Sequence, residues 1–449
     1  MARQENKRAL VVGLGLTGHS CVRHLSARGY RVIGVDTRAQ PPGFEALKRE
    51  FPRLQAHTGV LPDELFEDPG LLVVSPGLSL KDPALARAVA RGAQPIGDIE
   101  LFAQAACAPV LAVTGANGKS TVTSLLGAMC REAGLDTAVG GNLGTPALEL
   151  LRTPEPDLYV LELSSFQLET TWSLNARAAT VLNLSPDHMD RYRDLAEYAA
   201  AKARIFEGSG VMVLNADDPA VLAMARPGRR SVRFGLNPPQ AEHDYGLVVQ
   251  GGEEWLARGA RAIMPAAEVR LAGRHNLANA LAAMALAEHA RVPFDAMKRA
   301  ALAFKGLAHR AELVAEHDGI RWIDDSKGTN VGATVAALEG MSAPAVLIAG
   351  GDGKGQDFAA LKQPVARRAR AVVLIGRDAP LLEQALAGTV PVQRARDLGE
   401  AVRLARTLAR PGDVVLLSPA CASFDMFRNY EHRGEAFAAA VREMLSHAD

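Results

Sequence analysis

The residues with the clearest chemical signature form a glycine loop between an apolar run and a helical segment. The run from Val110 to Thr121 reads Val-Leu-Ala-Val-Thr-Gly-Ala-Asn-Gly-Lys-Ser-Thr. Backbone N–H groups of such a loop and of the following helix N-terminus point at an anion, and a lysine adds a full positive charge. The sequence therefore predicts a nucleotide site. Lys119 would bind phosphate, and the hydroxyl of Ser120 or Thr121 would reach Mg²⁺.

Ionisable side chains follow two other apolar segments. Glu162 lies near the end of segment 157–163, and His188 follows segment 178–184 beside Asp187. The carboxyl ends of parallel strands share one sheet edge, so we expect these groups beside the glycine loop, where they could hold divalent ions. The alternatives are a surface glutamate that caps the next helix and a structural histidine.

Two residues of the same region carry weaker signals. Lys202 lies in a predicted amphipathic helix, where residue type alone predicts a solvated side chain. Asn276 opens an alanine-rich segment and could either contact a nucleotide base or cap the helix. The sequence does not separate these roles.

The last third of the chain places polar loops after several apolar runs. Arg310 offers a guanidinium to phosphate, and the loop Asp325-Ser-Lys-Gly-Thr-Asn330 follows a predicted strand. Lys354 lies in a glycine-rich loop after the next strand, and Ser423 follows the last one. This edge would suit a small acidic or zwitterionic substrate.

The elements that must position these residues are short apolar runs that alternate with helical segments, which is typical of parallel α/β sheets. Strands are predicted at 8–13, 31–35, 71–74, 157–163, 178–184, 210–215, 320–324, 345–349, 371–375 and 413–418. Region 228–268 predicts a small antiparallel addition, and 276–291 predicts a helix. We expect three doubly wound domains: Rossmann-like over 1–98, P-loop ATPase-like over 99–305 and Rossmann-like over 306–449.

Composition excludes several classes of function. The 449 residues include 50 Lys plus Arg and 50 Asp plus Glu, and this zero net charge gives no sign of a nucleic-acid partner. Four scattered cysteines predict reduced thiols in the cytoplasm. No apolar run is long enough to insert into a membrane, and the polar N-terminus does not read as a signal peptide. A monomer is expected.

A second glycine turn opens the first unit. Gly13-Leu-Gly15-Leu-Thr-Gly18 follows the first predicted strand, and Asp36 ends the second. This pattern is typical of dinucleotide binding, although any diphosphate, including that of a nucleotide sugar, could use the same turn. NAD is disfavoured because nothing downstream resembles hydride-transfer machinery and a second phosphate loop follows.

Taken in order, the motifs resemble those of the Mur ligases, the amino-acid-adding enzymes of peptidoglycan synthesis. Their phosphate loop is similarly short: Gly115-x-x-Gly118-Lys119-Ser120 is two residues shorter than the usual spacing. The motifs that match, and that look like those of the D-glutamate-adding members, are Gly13–Gly18, Gly141–Gly144, Glu162–Gln167, Asp187–Tyr192, Asp325–Asn330, Gly350–Lys354 and Ser418–Ser423.

The resemblance implies an ATP-dependent, amide-forming ligase whose small-molecule substrates are UDP-N-acetylmuramoyl-L-alanine and D-glutamate. It implies that the UDP-linked substrate lies near Gly15, Leu16, Thr17, Thr37, Arg38, Gly77, Asn142 and His188. It implies that ATP is bound by Gly115, Asn117, Gly118, Lys119, Ser120, Thr121, Asn276, Arg310 and Asp325.

The resemblance further implies two magnesium ions near Ser120, Glu162, His188 and a carbamylated Lys202, with Lys119, His188 and Lys202 as catalytic residues. D-Glutamate would contact Lys327, Thr329, Lys354, Ser423, Phe424 and Tyr430. The family pattern has an aliphatic residue and a phenylalanine where Phe424 and Tyr430 stand, so the pocket lining departs from it here.

Three other functions compete with this interpretation. A folylpolyglutamate-synthase-like ligase shares the ATP chemistry but fits Asp187–Tyr192 and Asp325–Asn330 less well. A Mur ligase for another amino acid is disfavoured by the third-domain motifs. A non-enzymatic nucleotide switch would bind nucleotide without substrate-dependent phosphate release.

Overall fold

The computed structural model describes residues 7–59, 61–271, 273–341 and 343–446. Its strands form three sheets of four, nine and six strands. Helices separate most of the parallel strands, as crossover connections require. The predicted α/β class with three parallel-rich sheets is confirmed.

The first sheet is entirely parallel and has the order β3-β2-β1-β4. Leu10 and Val12 pack on one face and Ala9 and Val11 on the other, as the period of two in a strand buried on both sides requires. The strands are β1 (Arg8–Val12), β2 (Arg31–Asp36), β3 (Gln55–Thr58) and β4 (Leu71–Val74). The helices are α1 (Leu16–Ala27), α2 (Phe44–Glu50) and α3 (Pro83–Ala90).

The second sheet has the order β13-β12-β11-β10-β9-β8-β5-β7-β6. Its strands are β5 (Val110–Thr114), β6 (Thr137–Gly141), β7 (Leu158–Glu162), β8 (Ala178–Val181), β9 (Val211–Asn215), β10 (Ser231–Phe234), β11 (Tyr245–Gln250), β12 (Glu253–Arg258) and β13 (Arg261–Pro265). Strands β11 to β13 form the predicted antiparallel addition. Strand β10 differs from that prediction because it pairs parallel with β9 and continues the main sheet.

The helices around this sheet are α4 (Asp98–Ala105), α5 (Lys119–Glu132), α6 (Ser165–Leu168), α7 (Leu195–Ala203), α8 (Pro219–Leu222), α9 (Arg274–Glu288) and α10 (Phe294–Ala303). Helix α9 begins two residues before the predicted start, at 276, and ends three before the predicted end, at 291. Its alanines share one apolar cluster with Val122, Leu125 and Met129 of α5. The helix that follows the glycine loop therefore rests on a layer of small side chains.

The third sheet has the order β14-β15-β19-β16-β17-β18, with only the edge strand β14 antiparallel. Its strands are β14 (Glu312–His317), β15 (Ile320–Asp324), β16 (Ala345–Gly350), β17 (Ala369–Ile375), β18 (Val392–Arg394) and β19 (Val414–Leu417). The helices are α11 (Val331–Gly340), α12 (Lys362–Arg368), α13 (Ala379–Leu386), α14 (Leu398–Leu408) and α15 (Tyr430–Ser446). Short 3₁₀ segments occur at Asp63–Phe66, Ala147–Leu150, Arg204–Phe206, Ala266–Glu268 and Ala359–Leu361.

In the first and second sheets, a central strand is flanked by strands that the chain reaches in opposite directions; these central strands are β1 and β5. In the third sheet, β19 is the last strand and inserts between β15 and β16. Open α/β sheets bind ligands at the carboxyl end of such a strand, where the diverging crossovers leave a crevice. The glycine turn follows β1, the glycine loop follows β5 and the loop 418–425 follows β19. Among the described residues, no helix is long and apolar enough to cross a membrane.

Candidate active site

A cleft of about 600 Å³ lies between the carboxyl edges of the second and third sheets. It is lined by the loops after β5, β7, β8 and β15 and by the start of α9. Of the residues predicted from the sequence, the lining includes Asn117, Gly118, Lys119, Ser120, Thr121, Asn142, Glu162, His188, Lys202, Asn276, Arg310, Asp325, Lys327 and Thr329.

The glycine loop is held open by backbone geometry and by one asparagine. Gly118 has φ of 82°, and a Cβ there would lie 2.5 Å from Asn279 Oδ1, so only glycine fits. Asn183 accepts from the Asn117 backbone N–H at 2.9 Å and donates to the Asn117 carbonyl at 3.1 Å. The loop is thereby fixed to the segment after β8, with its amides beside the cleft.

Two lysines converge on one carbonyl of this loop. Lys119 Nζ and Lys202 Nζ each donate to the Gly115 carbonyl at 2.9 Å. Lys202 is 1 % exposed, so the solvated side chain that residue type alone predicted is wrong. Burial, and then the charge of Lys119, hold the pKa of Lys202 well below its usual range. Both effects favour the neutral, nucleophilic form of the amine.

The carboxylate of Glu162 is buried at the end of β7, with a residue exposure of 2 %. Its Oε1 accepts from Asn142 Nδ2 at 2.6 Å, while Oε2 has no hydrogen-bond partner in the described structure. The helix after β7 is capped instead by the hydroxyl of Ser164. The alternative role of Glu162 as a surface cap is therefore wrong, and an orphaned buried carboxylate oxygen in a cleft fits a cation.

His188 lies in a strained turn of the segment that follows β8. Its φ of 58° places a non-glycine residue in the left-handed region. Its ring meets the Phe166 ring edge-on, with centroids 4.7 Å apart. Burial, opposed by Asp187, lowers the pKa of His188 to about 4, so the imidazole is neutral at pH 7 and can act as a metal ligand.

Asp187 joins the central and third domains. It forms an ion pair with Lys354 and accepts from Asn330 Nδ2 at 3.1 Å. Burial raises the pKa of Asp187, but the charges of Lys354 and His188 outweigh that effect and bring it down to about 2. Lys354 does not line the cleft itself but contacts Asp187, which does.

A second contact between these domains lies at the glycine loop. Arg310 Nη2 donates to Ser120 Oγ at 2.6 Å. Nearby, Asp325 accepts from the Ser418 hydroxyl at 2.7 Å, and burial raises the pKa of Asp325 to about 7. Arg310 thus reaches the glycine loop from the third domain, and Asp325 lines the same cleft.

Only some of the residues predicted to bind the amino-acid substrate line the cleft. The Lys327 ammonium lies 3.8 Å from the centroid of the Tyr430 ring, and burial lowers the pKa of Lys327 to about 8. Ser423 is buried outside the cleft lining, and Phe424 is 74 % exposed. Phe424 does not touch the cleft in this arrangement.

At the opposite wall, Asn276 and Asn279 lie on the first turns of α9. Asn279 Nδ2 donates to Asn276 Oδ1 at 3.0 Å, and both side chains line the cleft. The N-cap position of α9 is Gly273 rather than Asn276, and among the described residues no side chain caps this helix.

The predicted first-domain residues lie in the loops at the carboxyl edge of the first sheet. Asp36 accepts from the Leu14 backbone N–H at 2.8 Å and pairs with Arg38 Nη2 at 2.7 Å. Its carboxylate therefore organises the glycine turn. The predicted residues at this edge are Gly15, Leu16, Thr17, Thr37, Arg38 and Gly77, and none of them lines the central cleft.

A cluster that could be mistaken for a metal site lies behind the third-domain loops. His309, Glu312 and Asp324 place ligand atoms within 4.8 Å of one another. However, His309 Nδ1 already bonds Asp324 Oδ2 at 2.7 Å, and the His309 backbone N–H donates to Glu312 at 2.9 Å. These bonds account for the cluster without an ion.

Sequence reasoning missed Asn183 and Asn279, which shape the glycine loop. Asn183 gave one usable signal, since it is an amide at the end of a buried run in the same position as Glu162 on its own strand. Asn279 lies inside an alanine-rich helix one turn after Asn276, where i and i+3 share a face.

Comparison with known proteins decides the family. Family profiles match the Mur ligase MurD-like N-terminal domain over residues 7–97, the Mur ligase middle domain over 113–287 and the Mur ligase glutamate ligase domain over 309–421. The UDP-N-acetylmuramoylalanine–D-glutamate ligase of Nitrosococcus oceani is 55 % identical over 440 residues, covering 98 % of this chain and 97 % of the relative. The chain belongs to the Mur ligase family.

Other Mur ligases agree in sequence and in fold. The ligase of the same name from Pseudomonas aeruginosa is 52 % identical, covering 97 % of this chain and 98 % of its own length. The UDP-N-acetylmuramate–alanine ligase MurC of Thermotoga maritima has a TM-score of 0.61 at 17 % identity, covering 98 % of this chain and 100 % of that structure. A pseudomurein peptide ligase type C from Methanothermus fervidus has a TM-score of 0.62 at 19 % identity, covering 99 % of this chain and 100 % of that structure. At such identities the solved Mur ligases support the three-domain fold alone.

Proposed function

We propose that this Mur ligase joins D-glutamate to UDP-N-acetylmuramoyl-L-alanine, using ATP and forming an acyl-phosphate intermediate. The observation that carries the proposal is one cleft lined by a phosphate loop, a carboxylate–imidazole pair and the polar loops of the third domain. Relatives whose names state the D-glutamate-adding reaction match nearly the full length of the chain.

The domain roles follow from the three sheet edges. We assign 1–98 to the UDP part, 99–305 to ATP and 306–449 to the amino acid. Around ATP, the amides of Gly115, Asn117 and Gly118 would face the phosphates with Lys119 and Ser120. The other proposed contacts are Thr121, Asn276, Arg310 and Asp325.

The residues present fit a divalent cation. Glu162 offers an unpartnered carboxylate oxygen, His188 a neutral imidazole and Ser120 a hydroxyl. Bound magnesium ions, two in the proposed arrangement, would supply the positive charge that offsets two approaching anions. The chain itself orients these donors through Asn142 and Asp187.

Lys202 is proposed to react with carbon dioxide. Its neutral amine attacks the carbon atom, one proton is released, and an anionic carbamate results. This change places a negative charge beside Lys119, since both lysine nitrogens face the Gly115 carbonyl. The carbamate would then join Glu162 and His188 as an oxygen donor.

The chemistry is activation followed by amide formation. The alanyl carboxylate attacks the γ-phosphorus of ATP, ADP leaves, and an acyl phosphate forms. The amine of D-glutamate then attacks the carbonyl, phosphate leaves, and the nitrogen loses its proton. Lys119 and Arg310 would offset charge on the transferred phosphoryl group, which is the main task in such reactions.

D-Glutamate would bind where the third-domain loops meet the cleft. Lys327, Thr329 and Lys354 would face its carboxylates, with Ser423, Phe424 and Tyr430 completing the pocket. Because Lys354 pairs with Asp187, a substrate carboxylate must compete with that aspartate. Further closure of the third domain would bring Ser423 toward the substrate and exclude water.

The UDP-linked substrate would extend from the first sheet edge to the cleft. Gly15, Leu16, Thr17, Thr37, Arg38 and Gly77 would hold uracil and diphosphate, and Asn142 and His188 the alanyl end. Unpaired cysteines support a reducing cytoplasmic setting. We propose that a monomer suffices because one chain supplies all three sheet edges.

Phosphate release tests the proposal directly. The protein is mixed with ATP, Mg²⁺ and UDP-N-acetylmuramoyl-L-alanine, and D-glutamate, L-glutamate, L-lysine and meso-diaminopimelate are offered separately. We expect sustained release with D-glutamate alone. Release that ignores the added amino acid contradicts the assignment, and preference for another one indicates a different member of the family.

A further inference from the structure

We propose that Arg191 is a positioning residue that holds the imidazole of His188 and connects it to the first-domain loop 75–81. This inference rests on the proposed function, in which that loop faces the UDP part and His188 faces the alanyl end. Arg191 itself lies outside the cleft lining. It acts through its neighbours.

The guanidinium of Arg191 makes three separate contacts. Nη1 donates to the carbonyl of Pro76 at 2.8 Å, and Nη2 donates to Glu169 Oε2 at 2.6 Å. Its central carbon lies 3.9 Å from the centroid of the Phe166 ring. Only 12 % of the side chain is exposed, so these contacts are shielded from solvent.

Phe166 links Arg191 to His188 by contacting both side chains. Its ring meets the imidazole edge-on, with centroids 4.7 Å apart. One aromatic ring thus contacts both the arginine and the histidine. If the guanidinium were removed, Phe166 would lose a cation–π partner, and the surface that orients the imidazole would be free to move.

The backbone of the same turn is held at two points. The His188 carbonyl accepts from the N–H groups of Arg191 at 3.0 Å and Tyr192 at 3.1 Å. These bonds stabilise the left-handed conformation of His188, which is unfavourable for a side chain other than glycine. Anchoring Arg191 at its other end therefore anchors the turn that presents His188.

The other end lies in the first domain. Pro76 precedes the exposed Gly77, in the loop that follows β4. Lys81 of the same loop donates to the Arg191 carbonyl at 3.1 Å and pairs with Glu197 at 3.0 Å. A ligand that moves this loop would move the acceptor of Arg191. An arginine suits the role because its planar fork reaches two acceptors while its face lies on a ring.

NMR spectra of the full chain, labelled at histidine, test the inference at a fixed pH. The His188 ring signals are assigned with His188→Asn, and spectra are compared for wild type, Arg191→Gln, Arg191→Lys and the control Arg193→Gln. Arg193 is 80 % exposed and pairs with its neighbour Asp194. We expect both Arg191 variants to shift the His188 signals and the control to leave them unchanged.

Uridine diphosphate is then added as the probe. We expect it to shift the His188 signals in wild type and in the control, but not in Arg191→Gln. In turnover, Arg191→Gln should lower kcat by about ten- to a hundredfold, the size of effect a misplaced group produces. The kcat of Arg191→Lys should lie between the values for Arg191→Gln and wild type.

The outcomes separate the two proposals. Unchanged His188 signals in Arg191→Gln, with the wild-type response to uridine diphosphate, overturn the positioning role alone. A wild-type protein that binds no uridine diphosphate contradicts the proposed function. If Arg191→Gln fails to fold, the His188 signals are compared in Arg191→Lys and Glu169→Gln instead. Each of these variants removes one polar contact and keeps a positive charge over the Phe166 ring.

Discussion

Arg310 and Ser120 lie 190 positions apart in the chain and share a hydrogen bond of 2.6 Å from guanidinium to hydroxyl. Both are proposed to bind the phosphates of ATP. This bond uses one of the five N–H groups of Arg310, and the Ser120 hydroxyl keeps its own hydrogen as a donor. The pair thus brings both side chains to the place where we propose that the phosphates bind.

Arg310→Ala should weaken ATP binding by about 10- to 150-fold, because hydrogen bonds from a charged donor contribute about 1.5–3 kcal/mol. Calorimetric titration with magnesium and ATP measures the change. Arg299→Ala is the matched control, since Arg299 is exposed and pairs with Glu132 at 2.6 Å. Equal affinities in the two variants would show that Arg310 does not contact the nucleotide.

Lys202→Ala should abolish turnover, and a small carboxylate added to that variant should restore part of it by replacing the carbamate. Incubation of wild type with ¹³C-bicarbonate should give a carbamate carbon signal that Lys202→Ala lacks. Lys298→Ala, which removes a more exposed lysine, should keep both the signal and the activity. A wild-type spectrum without that signal would contradict the modification.

Asp325→Asn should remove a pH dependence of stability. Burial raises the pKa of Asp325 to about 7 in the folded chain, above its usual value of 3.8. The contribution of the protonated group is therefore complete below about pH 4 and is lost as the pH rises through about 7. Relative to wild type, the variant should gain about 2–4 kcal/mol in unfolding free energy between pH 4 and pH 8.

Denaturant titrations at several pH values measure this difference. Asp318→Asn replaces an exposed aspartate of the same domain and should show no such trend. A gap between Asp325→Asn and wild type that stays constant with pH would mean that Asp325 is ionised throughout the range.

Arg433→Met should destabilise the third domain. The buried guanidinium donates to the carbonyls of Ser326 at 2.8 Å and Cys421 at 3.1 Å, in the loops after β15 and β19. Each buried carbonyl left without a donor costs about 1–3 kcal/mol, so we expect a total of about 2–6 kcal/mol. Thermal and denaturant unfolding measure this loss of stability. Arg433→Lys should lose less stability than Arg433→Met. If Arg433→Met is as stable as wild type, water replaces the guanidinium.

The sequence predicts the central strands well because those strands are buried on both faces. Continuous apolar runs such as Val110–Thr114 and Ala345–Gly350 carry that signal. The edge strands β3, β6, β14 and β18 have no comparable apolar run, so they were not predicted. They are short or half exposed, and their conformation depends on pairing with a neighbouring strand.

The candidate site shows the same division. Glu162 ends β7 and His188 lies in the segment after β8, so topology alone brings them to the cleft. Lys202 was misjudged on residue type, although Tyr198, Ala201 and Lys202 share the buried face of α7 at helical spacing. The bonds of Arg310 to Ser120 and of Lys354 to Asp187 join different domains, and no local pattern in the chain predicts them.

The alanines of α9 have a mechanical consequence. A methyl side chain has no rotamers to change, so the alanines of α9 in the cluster shared with α5 cannot adjust by side-chain rearrangement. The wall that carries the glycine loop is therefore stiff. We therefore expect changes in the width of the cleft to come from movement of the third sheet, whose loops carry Arg310, Asn330 and Lys354.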